Sequence, residues 1–404
     1  MNNTLSREAG QANATESQVS REILATYKRA PMRFVRASGV ELFDENEKSY
    51  LDFASGIAVN ALGYGDAGVA QTIQSVLETG LIHVSNLYKT EAGENLARFL
   101  VENSFASQVF FCNSGAEANE GAFKFARRWG RATGSDAKTG IVALRGSFHG
   151  RLFASLAATD RPMYRAPFRP LAGGISICER NEAELDVALD GESVAAVIVE
   201  PVQGEGGVRV LEPGLLRYIR RLTKEREIAL IFDEIQCGLG RLGTFMAYER
   251  SGVTPDMVTL AKPIAGGLPM GAILVTSEIA ETIKPGDHGT TFGGGPLVAA
   301  VADHVVRRLA DPQLLRSVRD NGEWIGERLA AITRKSARIR AVRGMGYMWG
   351  IDVVEAAGEV VQRGWDAGFL IITAGDHTLR LLPPLIIDRS DLERGLGILE
   401  TILG

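Results

Sequence analysis

The sequence predicts an α/β fold: a large domain on a mostly parallel central sheet, joined to a smaller α+β domain. Three observations carry this. From about residue 70 to residue 300, short apolar runs alternate with helical stretches, the pattern of βαβ units. After Pro296 the alternation gives way to two amphipathic helices and then separate strands. And 404 residues exceed what one hydrophobic core usually serves, so the chain should divide into several core-bearing units.

Taken in order, Met1 to Ser20 is polar, carries Glu8 and Glu16, and lacks an apolar stretch. It reads as a disordered tail (1–20) and not as a signal peptide. Residues 21–70 are expected to pack with the small domain, with a short helix over Glu22–Ala30 and two strands between Phe34 and Phe53 around an Asp44–Lys48 turn. Residues 71–299 form the large domain. Its helices are expected at Val69–Glu78, Glu91–Asn103, Ala116–Gly130 and Leu215–Glu227. Its strands are expected at Gln108–Cys112, Ile141–Leu144, Ala195–Val199, Ala229–Phe232, Met257–Leu260 and Ala272–Val275. In the small domain, 300–404, strands are expected at Tyr347–Val353, Leu370–Ile372 and Leu379–Leu382. A last helix should start at Ser390, with Glu393 completing a capping box.

Composition excludes several function classes. Forty-four basic against 49 acidic residues give a net charge of −5, so no basic face for nucleic acid is expected. Cys112, Cys178 and Cys237 are far apart, and the five histidines form no HExxH, so neither a disulfide framework nor a zinc site is indicated. The longest apolar runs fall far short of a membrane span. A cytoplasmic protein is the expectation. Glycine, 46 of 404 residues, is enriched over the usual ~7%.

In open α/β sheets, ligands sit beyond the carboxyl ends of the strands. Five strand ends carry suggestive residues. After Gln108–Cys112 comes Asn113-Ser114-Gly115-Ala116 and a helix start, whose free N–H groups suit a phosphate; an ordinary N-cap would look the same. After Ile141–Leu144 come Phe148, His149 and Arg151: an aromatic that can stack on a flat ring, an imidazole, and a guanidinium that can grip a carboxylate. After Ala195–Val199 comes the glycine-rich loop 200–208 with Glu205. After Ala229–Phe232 come Asp233 and Gln236. The acid is placed to ligate a metal, act as a base or pair with a cationic ring nitrogen, and no second ligand cluster supports the metal. After Met257–Leu260 comes Lys262 between Ala261 and Pro263, where desolvation would make its amine nucleophilic. Downstream, Thr290 and Thr291 lie in a Gly-rich loop that could donate to phosphate. Gly238-Leu239-Gly240-Arg241-Leu242-Gly243 fits GxGxxG, but the stretch after it is short for the required helix, and Asp256 comes too early for the ribose acid.

A phosphate cradle, a stacking aromatic, a strand-end Asp and a strand-end Lys are together the parts of a pyridoxal phosphate site. The stretches HVSNLY (83–88), VFFCNSGAEANE (109–120), GSFHGR (146–151), EPVQGEGGV (200–208), FDEIQCGLGR (232–241), TLAKPIAGGLPMGA (259–272), GDHGTTFGG (286–294) and LRLLPPL (379–385) resemble the class-III pyridoxal-phosphate aminotransferases of fold type I, and among them the N-acetylornithine aminotransferases.

The resemblance implies a role for each matching residue. Lys262 is similar to the Schiff-base lysine and proton shuttle, Asp233 to the partner of the pyridine nitrogen, and Gln236 to the partner of the phenolic oxygen. Phe148 would stack on the ring, with His149 beside it. Ser114, Gly115 and Ala116 would bind phosphate, and Thr291 the phosphate of a neighbouring subunit, which implies a homodimer with shared sites. Arg151 would hold the distal carboxylate, Arg380 the α-carboxylate of glutamate or 2-oxoglutarate, and Glu205 would gate Arg380; Thr290 would lie near substrate. Leu152, Thr290, Gly295 and Gly65-Asp66-Ala67 depart from the usual residues of the family and bear on the acyl-group preference. The implied reaction moves the δ-amino group of N-acetylornithine to 2-oxoglutarate by a ping-pong cycle, as in arginine biosynthesis. The alternatives are another ω-aminotransferase acting on succinylornithine, ornithine, 4-aminobutyrate or a carrier-linked lysine, an NAD(P)-dependent oxidoreductase, or a non-catalytic protein that keeps the fold.

Overall fold

The computed structural model describes residues 22–404; the expected disordered tail, 1–20, lies outside the described residues. In chain order the strands are β1 (Phe34–Ser38), β2 (Glu41–Asp44), β3 (Ser49–Asp52), β4 (Gln108–Cys112), β5 (Gly140–Leu144), β6 (Ile175–Cys178), β7 (Val194–Val199), the short pair β8 (Val202–Gln203) and β9 (Arg209–Val210), β10 (Ala229–Asp233), β11 (Met257–Leu260), β12 (Gly271–Val275), β13 (Ile339–Met345), β14 (Met348–Val353), β15 (Phe369–Leu370), β16 (Ile372–Thr373) and β17 (Thr378–Leu381).

Seven of these form the central sheet, in the order β4-β12-β11-β10-β7-β5-β6. The pairs from β11 through β6 are parallel; β12 runs antiparallel to both β11 and β4. Every residue of β7, β10, β11 and β12 is buried. That is why these strands read as continuous apolar runs: both faces are covered by helices and no solvent face imposes alternation. The helix Gly115–Thr133 packs on the sheet, burying Ala118, Ala122, Phe123, Phe125 and Ala126.

A second sheet, β13-β14-β17-β16, belongs to the C-terminal part of the chain. The N-terminal strands β1, β2 and β3 form a separate four-stranded sheet with β15, which pairs parallel to β3 with Phe369 opposite Leu51. Phe53 packs edge-on against Phe369 at 4.9 Å.

Several expected elements differ. Residues 22–30 form no helix, and their side chains are largely exposed, so no apolar stripe is buried to stabilise one. The segment from Phe34 to Phe53 holds three strands, because Gly39, at φ +58°, turns the chain between β1 and β2. The edge strand β6 and the strand β13 are additions to the expected set; both have mostly partly exposed residues that blur the apolar signal. Leu370–Ile372 is split between two sheets. The last helix begins at Arg389 with Asp388 as its N-cap, whose carboxylate accepts from the Asp391 N–H at 2.8 Å; the Ser390–Glu393 capping box does not form. A charged cap two residues earlier outcompetes the hydroxyl.

Candidate active site

Five strand ends of the central sheet converge on one cavity of about 400 Å³. Its walls include Ser114, Gly115, Ala116, Phe148, His149, Arg151, Glu205, Asp233, Gln236 and Lys262. All five strand-end segments singled out in the sequence therefore contribute to it. Arg380, Thr290 and Thr291 do not line it.

At one end lies the start of the helix Gly115–Thr133. Ser114 is its N-cap: its backbone is extended, and its hydroxyl accepts from the Glu117 N–H at 3.2 Å. Ser114, Gly115 and Ala116 line the cavity at this helix start, where backbone N–H groups of the first turn suit an anion. Gly115 lies close under Ile235: a Cβ there would fall 2.8 Å from Ile235 Cδ1, so a larger residue would force that side chain to shift.

Asp233 ends β10 at the cavity floor. Its Oδ2 accepts from Asn119 Nδ2 and meets His149 Nδ1, both at 2.8 Å, and its Oδ1 accepts from the Ile235 N–H at 3.1 Å. Asn119 is itself locked: Nδ2 also donates to the His149 carbonyl at 2.8 Å, and Oδ1 accepts from the Thr259 hydroxyl at 2.8 Å. Four elements thus fix one carboxylate. His149 is buried, and its Nε2 has no partner among the described residues. Beneath it, Glu200 Oε1 accepts from the Phe148 N–H at 2.8 Å. Burial pushes the Glu200 carboxyl up to about 7, with His149 opposing and Asp233 adding to the rise.

Lys262 follows β11 at φ +45°, a conformation that costs a non-glycine residue about 1–3 kcal/mol and is characteristic of functional positions. Burial lowers its ammonium pKa below the ordinary lysine value; Asp233 opposes this and Arg380 reinforces it.

Behind the Glu205 wall of the cavity the support is built differently. Arg380, on β17, is buried and reaches inward: Nη2 donates to Glu205 Oε1 at 2.6 Å and Nη1 to Gln236 Oε1 at 2.9 Å. Because guanidinium can only donate, it fixes the Gln236 amide with its oxygen toward Arg380, leaving its NH₂ group with no hydrogen bond among the described residues. Arg151 is exposed and lies over the Tyr164 ring at 3.5 Å. Thr290 accepts from Asn113 Nδ2 at 3.0 Å, which ties its loop to the helix start. Thr291 is exposed.

Residues 238–243 form turns and lead only to the short helix Tyr248–Ser251, so no phosphate-binding helix succeeds the GxGxxG stretch. Arg241 instead is buried, its Nη1 donating to the Pro383 carbonyl at 2.5 Å. Asn119 and Glu200 carry no role that sequence alone assigns. Asn119 sits in the second turn of a helix, and only the fold brings it to Asp233.

Comparisons with known proteins identify the family. The class-III aminotransferase family matches residues 24–403. A mitochondrial acetylornithine aminotransferase of Alnus glutinosa is 42% identical over 97% of this chain and 88% of that protein. The solved N-acetylornithine aminotransferase of Stenotrophomonas maltophilia K279a superposes with a TM-score of 0.81 at 34% identity, covering 93% of this chain and 96% of that one. An ornithine aminotransferase of Toxoplasma gondii, with PLP at partial occupancy in its active site, superposes with a TM-score of 0.91 at 27% identity, covering 95% of this chain and 92% of that one. With the match running through nearly every described residue, and the strand-end constellation in place, the chain belongs to the class-III aminotransferases.

Proposed function

We propose that this protein is a pyridoxal-phosphate-dependent transaminase that moves the δ-amino group of N-acetylornithine to 2-oxoglutarate, giving N-acetylglutamate 5-semialdehyde and glutamate, a step of arginine biosynthesis. The observation that carries the reading is the convergence of Lys262, Asp233, Phe148 and a helix N-terminus on one cavity. The residues fit the cofactor. The Gly115 cradle suits a dianionic phosphate, Phe148 offers a flat wall, Asp233 suits a protonated ring nitrogen, and the free NH₂ of Gln236 suits an anionic ring oxygen. When bound, the cofactor supplies an electron sink for the carbon next to the reacting nitrogen.

The chain's own residues do the rest. Lys262 offers a desolvated amine that is the cofactor's attachment point and carries the proton to and from the substrate carbon. Asp233, held by Asn119 and His149, keeps one proton at the ring nitrogen. Arg151 receives the carboxylate of the long amine substrate through paired donors. Glu205, paired with Arg380, covers that guanidinium while acetylornithine reacts, and releases it for the α-carboxylate of glutamate.

A homodimer belongs to the same reading, with Thr291 serving the partner's phosphate. It is supported by the exposed apolar residues Leu81, Ile82, Leu87, Tyr88 and Phe292 around that loop. So does the division into a large domain over 71–299 and a small one from 21–70 and 300–404, supported by the β3–β15 pairing. The three unpaired, buried cysteines suit a reducing compartment such as the cytosol.

The test is direct. Protein mixed with pyridoxal phosphate should gain a visible absorption band that borohydride abolishes, and kcat/KM should be higher for N-acetylornithine than for ornithine, succinylornithine or 4-aminobutyrate. A protein that stays colourless overturns the reading, and a higher kcat/KM for another amine overturns the substrate. Sedimentation giving a monomer would remove the shared site.

A further inference from the structure

The hairpin that carries Glu205 lies across the C-terminal sheet at one particular row. In the register of that sheet, Arg343 of β13 is opposite Gly350 of β14, and Gly350 is opposite Arg380 of β17. The row therefore reads Arg–Gly–Arg, with a bare backbone between two guanidiniums. The connection between β8 and β9, residues 204–208, rests on it. A Cβ at Gly350 would fall 2.9 Å from Val208 Cβ and 3.0 Å from the Gly207 carbonyl oxygen.

The two guanidiniums grip this hairpin at different points. Arg380 Nη2 takes the Glu205 carboxylate at 2.6 Å, while Arg343 Nε donates to the Gly207 carbonyl at 2.7 Å. Arg343 is itself held by a two-point pair with Asp352, at 2.6 and 2.8 Å, and Asp352 also accepts from the Thr378 hydroxyl at 2.6 Å. The Arg343 guanidinium holds the Asp352 carboxyl below its ordinary range. From the large-domain side, Arg161 donates to the Glu205 carbonyl. The hairpin needs holding: Gly207 is at φ +97° and Val208 at φ +52°, and the second of these is a disfavoured conformation for a branched side chain.

We infer that Arg343, fixed by Asp352 and Thr378 and assisted by the bare backbone of Gly350, is a positioning residue that sets how readily Glu205 covers Arg380, and so sets the preference between the ω-amine substrate and α-carboxylate substrates. This rests on the reading of Glu205 as the cover of Arg380. Arg343 does not line the cavity; it acts through the pose of the hairpin. The donor pattern explains the direction. With the Gly207 carbonyl released, the hairpin loses its tether to the sheet that carries Arg380, the Glu205–Arg380 pair forms less often, and Arg380 is free more of the time. Substrates and ligands with an α-carboxylate gain relative to acetylornithine.

The experiment uses the holoenzyme and measures the two half-reactions separately by the cofactor's absorbance, with glutamate and with acetylornithine, alongside the Kd of glutarate by calorimetry. For Arg343→Gln, the ratio of kcat/KM for glutamate to that for acetylornithine should rise about tenfold, the effect of losing one charge-assisted hydrogen bond, and glutarate should bind more tightly. Gly350→Ala and Thr378→Val provide milder disturbances of the same row and should move the ratio in the same direction, which keeps the test open if Arg343→Gln folds poorly. In a Glu205→Ala background, Arg343→Gln should change neither the ratio nor the glutarate Kd further. An unchanged ratio in all three single variants, with Glu205→Ala still shifting it, overturns the role of Arg343 and leaves the cover intact. An unchanged ratio in Glu205→Ala itself overturns the cover, and the inference with it.

Discussion

The inner and outer halves of the cavity are held by different kinds of structure. The inner half is assembled from adjacent strand ends and one helix start, and its key carboxylate, Asp233, has its contacts supplied by Asn119, His149 and its own following turn. The outer half joins a hairpin of the large unit to a strand from the far end of the chain: Glu205 and Arg380 are 175 residues apart. Its wall includes the exposed Arg151, while the exposed Thr291 lies off that wall. The inner contacts are buried and mutually supporting, so moving one strands another. The outer contacts run between loops and a separate sheet and rest largely on arginine side chains. The difference teaches where change is costly. On the proposed function, reaction chemistry is locked into the sheet, while substrate choice is set by contacts that can form and break.

That contrast can be broken from the inside first. Lys262→Ala should abolish turnover, by at least about 10³-fold, and should leave no visible band after cofactor addition, by spectrophotometry. Asp233→Asn should lower kcat by roughly 10²-fold or more, the scale of one lost electrostatic contact in a buried site, with KM for acetylornithine little changed in steady-state assays; a normal kcat would show that the floor of the cavity is not where the chemistry is controlled. The outer half should respond in KM. Arg151→Ala should raise KM for acetylornithine by about 10- to 100-fold, consistent with loss of a charged hydrogen-bond pair, while kcat changes little. Equal losses in kcat would erase the distinction between the halves. Thr291→Ala should weaken cofactor retention on dilution by about tenfold at most, measured by dialysis and absorbance. The smallest signal is a displacement along the pH axis. Burial lowers the Lys262 pKa, so its amine is free base at a lower pH than an ordinary lysine. Cofactor uptake by the apoprotein should therefore rise with pH and level off below 10.5, the ordinary lysine value; levelling at or above it would contradict a desolvated amine.

The inner half is legible in the sequence because its logic is local. A strand that is buried on both faces must be an apolar run, and the residues just after it must sit at the sheet's carboxyl edge. Asp233, Lys262 and Ser114 can be placed on that rule alone. Arg380 can be proposed only through resemblance, since nothing in its own surroundings says that it faces Glu205. The row through Arg343 and Gly350 is not legible at all. Its meaning depends on cross-strand register, and β13 itself is hidden because six of its seven residues are only partly buried or exposed, in an irregular pattern. Asn119 is hidden for a related reason. A polar residue in a helix looks solvent-facing until tertiary packing turns it toward a carboxylate.

The reversal of β12 has a consequence for how the protein comes apart. Had β12 run parallel to β11, a crossover would have been needed between them. Instead residues 261–270 leave the sheet at Leu260 and re-enter at Gly271 on the same edge, with Leu260 directly opposite Ala272. The segment bearing Lys262 is a short closed loop pinned at both ends to the middle of the core, and its closure costs little entropy. Anchored at both ends in the sheet, it cannot swing far while the sheet persists. Release of the lysine and melting of the central sheet should then be one event on heating, so the colour of the holoenzyme becomes a reporter of global unfolding.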